Sequence, residues 1–314
     1  MTSVKRLLPW LVALLLLAFA TRLFDLGAQS LWFDEGWSAY AALQPDLIAA
    51  ANADATNPPL YYMLINLHTR IAGDSEFSLR LLSLWLSLLT IPLAYQLARR
   101  LVSARAGVWA AAAAVLLPLL WWSAREARMY SWLALLAIIA ALSFHTLIVK
   151  PSRRAWVGLW LAELALLYSH NTGPIVVLWL NLAVLIVWLA ARSFSKPDVR
   201  VWLFGQIGVG LLWLPYLLGR FLLLPEANAG LQNTTLLTPQ ALSNLWRAFW
   251  ETPWERILFG AEVSWPFLLL LLLLAILLPY RWKGARWLLL HAAVWIAGIW
   301  IGLAILGNEF HGRY

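Results

Sequence analysis

The chain has 314 residues, of which 62% are hydrophobic and only 12% are charged, whereas a soluble domain carries roughly 25% charged residues. A chain this apolar has too little polar surface to cover itself in water, so the composition excludes an ordinary soluble domain and predicts a membrane protein. The lack of cysteine excludes disulfides and thiolate metal sites, and the net charge of +8 makes nucleic acid a partner to be tested against the positions of the charges.

Uncharged apolar runs long enough to cross a bilayer predict about nine transmembrane helices, the first of them interpreted as uncleaved. Residues 60–72 are apolar but too short to span, and they predict an amphipathic helix on the outer interface with Asn57 as its N-cap. Asp74 or Ser75 is expected to cap the following span. The predicted spans are residues 7–24, 78–98, 107–123, 132–149, 155–170, 173–191, 201–224, 263–280 and 287–306.

The connections between these spans carry their charges asymmetrically. With the N-terminus in the cytoplasm, fourteen of the 23 basic residues lie in short inner loops and thirteen of the 15 acidic residues lie outside, while Asp198 lies inside and Glu163 within a span. This is the positive-inside pattern of a multi-pass protein of the cytoplasmic (inner) membrane. If residues 60–72 crossed the membrane, every later basic loop would face outward. The net charge therefore reflects topology, and no nucleic-acid partner is expected.

The first of two long outer loops, residues 25–77 and 225–262, carries adjacent carboxylates at the membrane surface. Asp34 and Glu35 are flanked by Trp32, Phe33 and Trp37 directly after the first span. Aromatic neighbours lower the local dielectric, which would tune a carboxylate for general-base chemistry. A solvated acidic loop within an aromatic belt is the simpler alternative, and the spacing leaves both open.

A second polar segment follows the third span. Arg125 and Arg128 are three apart, so on a helix they would share a face that suits a phosphate. Glu126 and Tyr130 are four apart and would share another face. Anchoring of a helix end at the interface explains the same residues equally well.

Three further polar residues lie at outer helix ends, namely Arg80, His170 and Asn171. Singly, an arginine there snorkels and a histidine caps a neighbour. Glu163, near the middle of the membrane, is interpreted as a neutral structural acid, with a cavity-facing role as the alternative. The shared outer location of carboxylates and arginines favours group transfer from a phosphate-bearing lipid.

Five short motifs occur in a fixed order. They are Ser30-Leu31-Trp32-Phe33-Asp34-Glu35, Asn57-Pro58-Pro59-Leu60-Tyr61-Tyr62, Gly73-Asp74-Ser75-Glu76-Phe77 with Leu79-Arg80-Leu81, Arg125-Glu126-Ala127-Arg128-Met129-Tyr130, and Tyr168-Ser169-His170. In this order they resemble the GT-C glycosyltransferases of the protein-mannosyltransferase type, family 39. The subgroup they resemble most is the bacterial RgtA/B/C/D-like enzymes, distantly related to the aminoarabinose transferase of lipid A. The resemblance covers roughly residues 1–200.

The resemblance implies an all-α polytopic GT-C-like bundle with juxtamembrane helices in the first outer loop. It also implies a polyprenyl-phosphate sugar donor and a catalytic base at Asp34. Asn57 stands where relatives carry His or Lys, which puts a phosphate contact from that position in doubt. Arg313-Tyr314 resembles the start of a further helix, so residues 1–314 are expected to be a single, C-terminally incomplete membrane domain.

Together these observations predict an inverting glycosyltransferase that uses a hydroxyl acceptor (glycolipid, cell-envelope glycan or protein) on the outer face of the membrane. A transporter or lipid flippase, an oligosaccharide polymerase or ligase, and a non-catalytic fragment are the alternatives. The expected catalytic residues are Asp34 and Glu35. The expected ligands of the donor phosphate are Arg128, Arg125, Arg80 and His170. Substrate-orienting roles are expected of Glu126, Tyr130, Asn57 and Asn171, and a divalent metal, with Glu35 and Glu126 as candidate ligands, is left open.

Overall fold

A computed structural model describes residues 2–190 and 199–223. Every regular element in these residues is a helix, which confirms the all-α prediction for this part of the chain. The predicted spans 263–280 and 287–306 and the outer loop 225–262 lie outside the described residues. The helices are α1 (Thr2–Leu23), α2 (Phe33–Ala42), α3 (Leu47–Ala51), α4 (Leu60–Ala72), α5 (Glu76–Leu101), α6 (Ala104–Leu116), α7 (Pro118–Ser123), α8 (Tyr130–Val149), α9 (Arg153–Leu167), α10 (Gly173–Ala190) and α11 (Val199–Leu223).

Of the seven predicted spans that fall on described residues, six agree with single observed helices to within about five residues at either end. Residues 107–123 form two helices, α6 and α7, instead of one. Three described helices are long and apolar enough to cross a membrane, namely α5, α8 and residues 199–220 of α11. Three other apolar stretches, residues 7–23, 104–116 and 173–185, are shorter. The described residues therefore do not establish the predicted number of nine spans.

The break between α6 and α7 follows from Pro118. Proline has no backbone N–H, so the carbonyl of Ala114 lacks its helical donor. Arg22 at the end of α1 donates to that carbonyl at 2.9 Å, and its side chain is fully buried. The arginine thereby satisfies the open carbonyl and fixes α1 against the break.

The predicted first outer loop, residues 25–77, contains the three short helices α2, α3 and α4. The Asp46 carboxylate caps α3 by accepting from the N–H of Ala49 at 2.8 Å. Helix α4 has the bounds that the sequence predicts, but its predicted N-cap is wrong. The helix begins after Pro59, the N–H of Leu60 is bound by the carbonyl of Tyr168 at 2.8 Å, and Asn57 donates to Asp54 instead.

Helix α4 is amphipathic, as predicted. Tyr61, Tyr62 and Ile65 are fully buried, whereas Leu67 and Ile71 on the opposite side are exposed. The buried side packs against α2, α3 and α5. The protein itself therefore covers one face of α4 and positions its two tyrosines close to the loops of the site.

Helix α5 is central to the described bundle and packs against α1, α4, α6 and α8. The Ser75 side chain caps it by accepting from the N–H of Ser78 at 3.2 Å, which confirms that prediction. Helices α8 to α11 form a second cluster in which Glu163 is buried. Its carboxyl group accepts from Gln206 at 2.8 Å, a bond that links α9 to α11 and supports the structural interpretation of this acid.

Candidate active site

Asp34 lies in the first turn of α2, where the partial positive charge of the helix start favours a carboxylate. Its backbone carbonyl accepts from the Arg128 guanidinium at 3.0 Å. Its carboxylate is partly exposed and has no hydrogen-bond partner within the part of the chain that the structure describes. The backbone of this residue is thus held in place while its carboxylate is available to a substrate.

The neighbouring Glu35 has a different environment. It is fully buried, and Arg80 binds both of its oxygens, with Nε at 2.8 Å and Nη2 at 2.7 Å. The N–H of Ala127 donates to the same carboxylate at 2.8 Å, and the N–H of Trp32 at 3.3 Å. These four hydrogen bonds occupy the carboxylate. The structure therefore argues against Glu35 as a catalytic residue or metal ligand and gives it a structural role.

The Arg80 guanidinium is likewise fully hydrogen-bonded within the protein. Besides Glu35, its guanidinium donates to the carbonyls of Leu26 at 3.1 Å, Gln29 at 2.6 Å and Ser30 at 3.2 Å. All five N–H groups of the side chain are used in this way. In this structure Arg80 therefore fixes the loop that leads from α1 to α2, and its contact with the donor phosphate stays a prediction.

The predicted common face of Arg125 and Arg128 is wrong, because residues 124–129 form a turn between α7 and α8 instead of a helix. Arg125 points to the C-terminal end of α1. There it donates to the carbonyls of Arg22 at 3.2 Å and Asp25 at 3.3 Å, and to that of Phe24, and it stacks over the Trp121 ring at 4.7 Å. Arg125 therefore caps α1, and the structure does not place it beside Arg128.

Arg128 is the cation that the fold brings to Asp34. Its side chain is buried, and Nη1 donates to the Asp34 carbonyl and to the Tyr62 hydroxyl at 3.2 Å. Its Nε has no partner among the described residues. In that part of the chain the Arg80–Glu35 contact is the only ion pair. The positive charge of Arg128 is therefore not neutralised by direct contact with a described carboxylate.

Glu126 is a second buried acid in the same turn, and its Oε2 has no hydrogen-bond partner among the described residues. Burial, and then the negative charge of Glu35, raise the pKa of this carboxyl group to about 8, against an opposing effect of Arg128. Glu126 is thus mainly protonated at neutral pH. A neutral acid adds no negative charge beside Asp34 and has one proton to donate.

The raised pKa of Glu126 predicts a pH dependence of stability. The folded protein keeps this proton up to about pH 8, whereas the unfolded chain loses it near its ordinary pKa of about 4.3. Because the folded state then binds more protons, stability falls as pH rises between these two values. We expect Glu126→Gln in detergent to reduce the fall in melting temperature between pH 5 and 8, and the exposed Asp74→Asn to leave it unchanged. A wild-type slope retained in Glu126→Gln would contradict the assignment.

His170, predicted to bind phosphate, is not a cation at neutral pH. Burial, and then the charge of Arg128, lower its pKa to about 4. Its Nδ1 accepts from the N–H of Thr172 at 3.1 Å, so the ring proton lies on Nε2. Its ring meets that of Tyr130 edge-on, with 6.2 Å between the centroids. The histidine can therefore donate one neutral hydrogen bond near Tyr130.

Asn171 holds two segments together. Its amide donates to the carbonyl of Thr56 at 2.8 Å, and its oxygen accepts from Arg220 of α11 at 3.0 Å. Arg220 also donates to the Thr56 carbonyl at 2.8 Å. Arg220 is not among the predicted site residues, although it is the basic residue near the predicted outer end of the span 201–224. The geometry assigns Asn171 to fixing the loop before α4.

Asp54 is a second residue that the sequence analysis overlooked. Its buried carboxylate accepts from the Thr56 N–H at 2.7 Å, the Asn57 amide at 2.9 Å and the Tyr62 hydroxyl at 2.5 Å. Burial alone would raise its pKa, but these hydrogen bonds hold the pKa below its ordinary value. An Asp two residues before a Thr, ahead of two prolines, is a sequence signal for such a turn. The Asn57 amide thus helps to orient the Asp54 carboxylate in this structure, whereas a substrate-orienting role was expected of it.

An open apolar groove of about 660 Å³ lies along α2, the helix that carries Asp34. The neighbours of Asp34 in sequence, Phe33 and Glu35, differ sharply: the Phe33 side chain is 73% exposed beside the groove, whereas Glu35 is fully buried. Asp34 itself is not among the residues that line the groove. Its lining consists of Leu31, Trp32, Phe33, Gly36, Trp37, Tyr40 and Ala53.

Comparison with known proteins agrees with the resemblance seen in the sequence. Residues 56–197 match the family model of the dolichyl-phosphate-mannose-protein mannosyltransferases. The structure is similar to the crystal structure of ArnT from Cupriavidus metallidurans in the apo state, with a TM-score of 0.60 and 18% sequence identity. That match covers 99% of this chain and 57% of the ArnT chain. A search of curated proteins gave no match.

Proposed function

From an ArnT-like GT-C fold and a mannosyltransferase-family segment at residues 56–197, we propose that the chain is an inverting glycosyltransferase. It moves a sugar from a polyprenyl-phosphate donor to a hydroxyl acceptor. The observation that carries this proposal is the pairing of Asp34 with Arg128, whose guanidinium binds the Asp34 carbonyl at 3.0 Å. An available carboxylate and a cation without a direct counter-ion among the described residues are the two groups that a single displacement at a sugar phosphate needs.

The reaction follows from these two groups. The acceptor oxygen attacks the anomeric carbon on the side opposite the phosphate, and Asp34 takes the hydroxyl proton as the new bond forms. The bond from the anomeric carbon to the phosphate oxygen breaks, and its electron pair leaves with polyprenyl phosphate. Arg128 stabilises the charge that develops there. Attack from the opposite side inverts the anomeric configuration.

The remaining residues of the site support these two. Glu35 and Arg80 hold the start of α2, and therefore Asp34, against the turn at residues 124–129. Neutral Glu126 does not repel the donor phosphate, and the Nε2–H of His170 is a further donor beside Arg128. If a divalent metal takes part, the carboxyl groups that remain to hold it among the described residues of this site are Asp34 and, in its deprotonated form, Glu126.

We place the reaction on the outer face of the cytoplasmic membrane, with the N-terminus inside. The basic residues of the short alternate loops support this orientation. A cysteine at the exposed position of Ala55, in the first long loop, is expected to react with an impermeant thiol reagent in intact cells. A cysteine at exposed Val102, between α5 and α6, is expected to be shielded. The reverse labelling pattern would contradict the proposed orientation.

Arg128→Ala is expected to weaken donor use by about 1.5–3 kcal/mol, because it removes one charge-assisted contact to the phosphate. This corresponds to roughly a 10- to 150-fold loss in kcat/KM for the donor. The measurement is sugar transfer and release of polyprenyl phosphate in proteoliposomes, with a panel of polyprenyl-phosphate sugars as donors. Arg105→Ala, at an exposed residue of α6, is the control and should stay near wild type. Equal losses in both variants would show that Arg128 does not bind the donor.

A further inference from the structure

A line of three buried side chains leads from the first outer loop to the candidate active site. The Tyr62 hydroxyl lies 2.5 Å from the Asp54 carboxylate and 3.2 Å from Nη1 of Arg128. The same Nη1 lies 3.0 Å from the Asp34 carbonyl. Asp54, Tyr62 and Arg128 are each less than a tenth exposed. The line therefore connects a buried carboxylate to the proposed phosphate-binding cation.

The direction of these hydrogen bonds is fixed by chemistry. A carboxylate can only accept, so the Tyr62 hydroxyl donates its proton to Asp54. A guanidinium can only donate, so the hydroxyl oxygen accepts from Arg128. The Tyr62 hydroxyl thus bridges the Asp54 carboxylate and the Arg128 guanidinium by two hydrogen bonds.

Arg80 and Arg128, the buried arginines that contact Glu35 and Asp34, differ in the groups that they bind. Arg80 meets Glu35 directly in a pair of bonds at 2.7 and 2.8 Å, which neutralises its charge on the spot. Arg128 is oriented by a hydroxyl and by a backbone carbonyl, which are neutral acceptors. Direct contact with a carboxylate would compete with an incoming phosphate for the same N–H groups. An indirect contact orients the guanidinium and leaves its charge for a ligand.

We propose that Asp54 is a positioning residue that, through the Tyr62 hydroxyl, holds the Arg128 guanidinium in place for the phosphate that leaves the donor. This inference rests on the proposed function. It assigns a role to a carboxylate that makes no contact with the reacting atoms. It also explains the use of Asn57, whose amide donates to Asp54 at 2.9 Å and helps to orient that carboxylate.

The surroundings of Asp54 support a fixed geometry. The N–H and hydroxyl of Thr56 both donate to the carboxylate, at 2.7 and 2.5 Å. The carbonyl of Thr56 is bound in turn by Asn171 and by Arg220 of α11, each at 2.8 Å. The position of Asp54 therefore depends on two segments that are distant in sequence, the turn between α9 and α10 and helix α11, as a rigid support for Arg128 requires.

The test is a set of double-mutant cycles on the full chain in proteoliposomes. Asp54→Asn and Tyr62→Phe are each expected to raise the donor KM about tenfold, and the combined variant is expected to do no more than either one. In the Arg128→Ala background, Asp54→Asn should change the donor KM less than about twofold, because its effect passes through Arg128. Asp46→Asn is the control, since Asp46 is exposed and asparagine also caps a helix.

Melting temperatures are measured alongside the kinetics, because a purely structural role would lower stability without this dependence on Arg128. Tyr62→Phe keeps the ring and removes only the hydroxyl, so it maintains the test if Asp54→Asn does not fold. Losses from Asp54→Asn and Arg128→Ala that multiply would overturn the positioning role. A donor KM within twofold of wild type in both Asp54→Asn and Tyr62→Phe, with Arg128→Ala impaired, would overturn it and leave the proposed function standing. Wild-type protein that transfers no sugar from any donor would overturn both.

Discussion

Asp34→Asn is expected to abolish sugar transfer while leaving the protein folded and able to bind its donor. A positioned general base contributes roughly 10²- to 10⁴-fold to a reaction rate, and an amide cannot accept the proton of the acceptor. The structure predicts little cost to folding, because the Asp34 carboxylate has no hydrogen-bond partner among the described residues. The bond from Arg128 goes to the backbone carbonyl, which the substitution retains.

The measurement for Asp34 is transfer in membranes from a host that lacks its own enzyme, together with photo-crosslinking to a polyprenyl-phosphate probe. Asp46→Asn, which changes an exposed acid of the same outer loop, should keep wild-type activity. If Asp34→Asn keeps more than about a tenth of the activity, the loss is smaller than removal of a general base should cause. In that event Glu126 becomes the next candidate base, and if both acids are dispensable the transporter alternative moves ahead.

Glu35→Gln has the second large expected effect, and it falls on stability instead of chemistry. Breaking a buried ion pair by removing one partner costs about 3–5 kcal/mol, because the other charge is left without compensation. Here Arg80 would keep its three backbone carbonyls and one amide oxygen, but it would lose the negative charge and one of the two acceptors now at 2.7 and 2.8 Å. The glutamine amide would also bring N–H donors toward the N–H groups of Arg80 or Ala127. We therefore expect a much lower melting temperature and little folded protein.

Thermal unfolding in detergent measures this effect, and Glu76→Gln is the control because that partly exposed acid has no recorded ion pair in the described part of the chain. Arg80→Gln should be similarly destabilising. The double variant should be less destabilised than the sum of the two single variants, since it leaves no charge buried alone. If Glu35→Gln folds normally but loses transfer, Glu35 acts in the chemistry and its structural assignment fails.

Hydropathy and helix-capping rules predicted much of the fold. The apolar runs predicted the positions of α5, α8 and α11. A short apolar run between two prolines and a glycine predicted the bounds of α4. Ser75 was one of the two expected caps of α5. The break at Pro118 was missed because the residues around it remain apolar, so hydropathy shows no interruption there. The missing N–H of proline was the available signal.

The candidate site was only partly predictable, because its contacts join residues that are far apart in sequence. Asp34 and Arg128 were expected on one side of the membrane, which topology alone can indicate. The pairing of Glu35 with Arg80 and of Tyr62 with Arg128 spans 45 and 66 residues, and no local periodicity reports such contacts. The expected common face of Arg125 and Arg128 assumed a helix, and the turn at residues 124–129 sends their side chains in different directions.

The contacts around Glu35 also set an order for biosynthesis. The ribosome makes Glu35 first, its partner Arg80 after 45 more residues, and Ala127, whose N–H completes the carboxylate shell, 92 residues after Glu35. Until the turn before α8 leaves the translocon, the nascent chain carries an acid whose burial is incomplete. The segment between α1 and α2 can therefore complete its contacts only after the turn at residues 124–129 has been made.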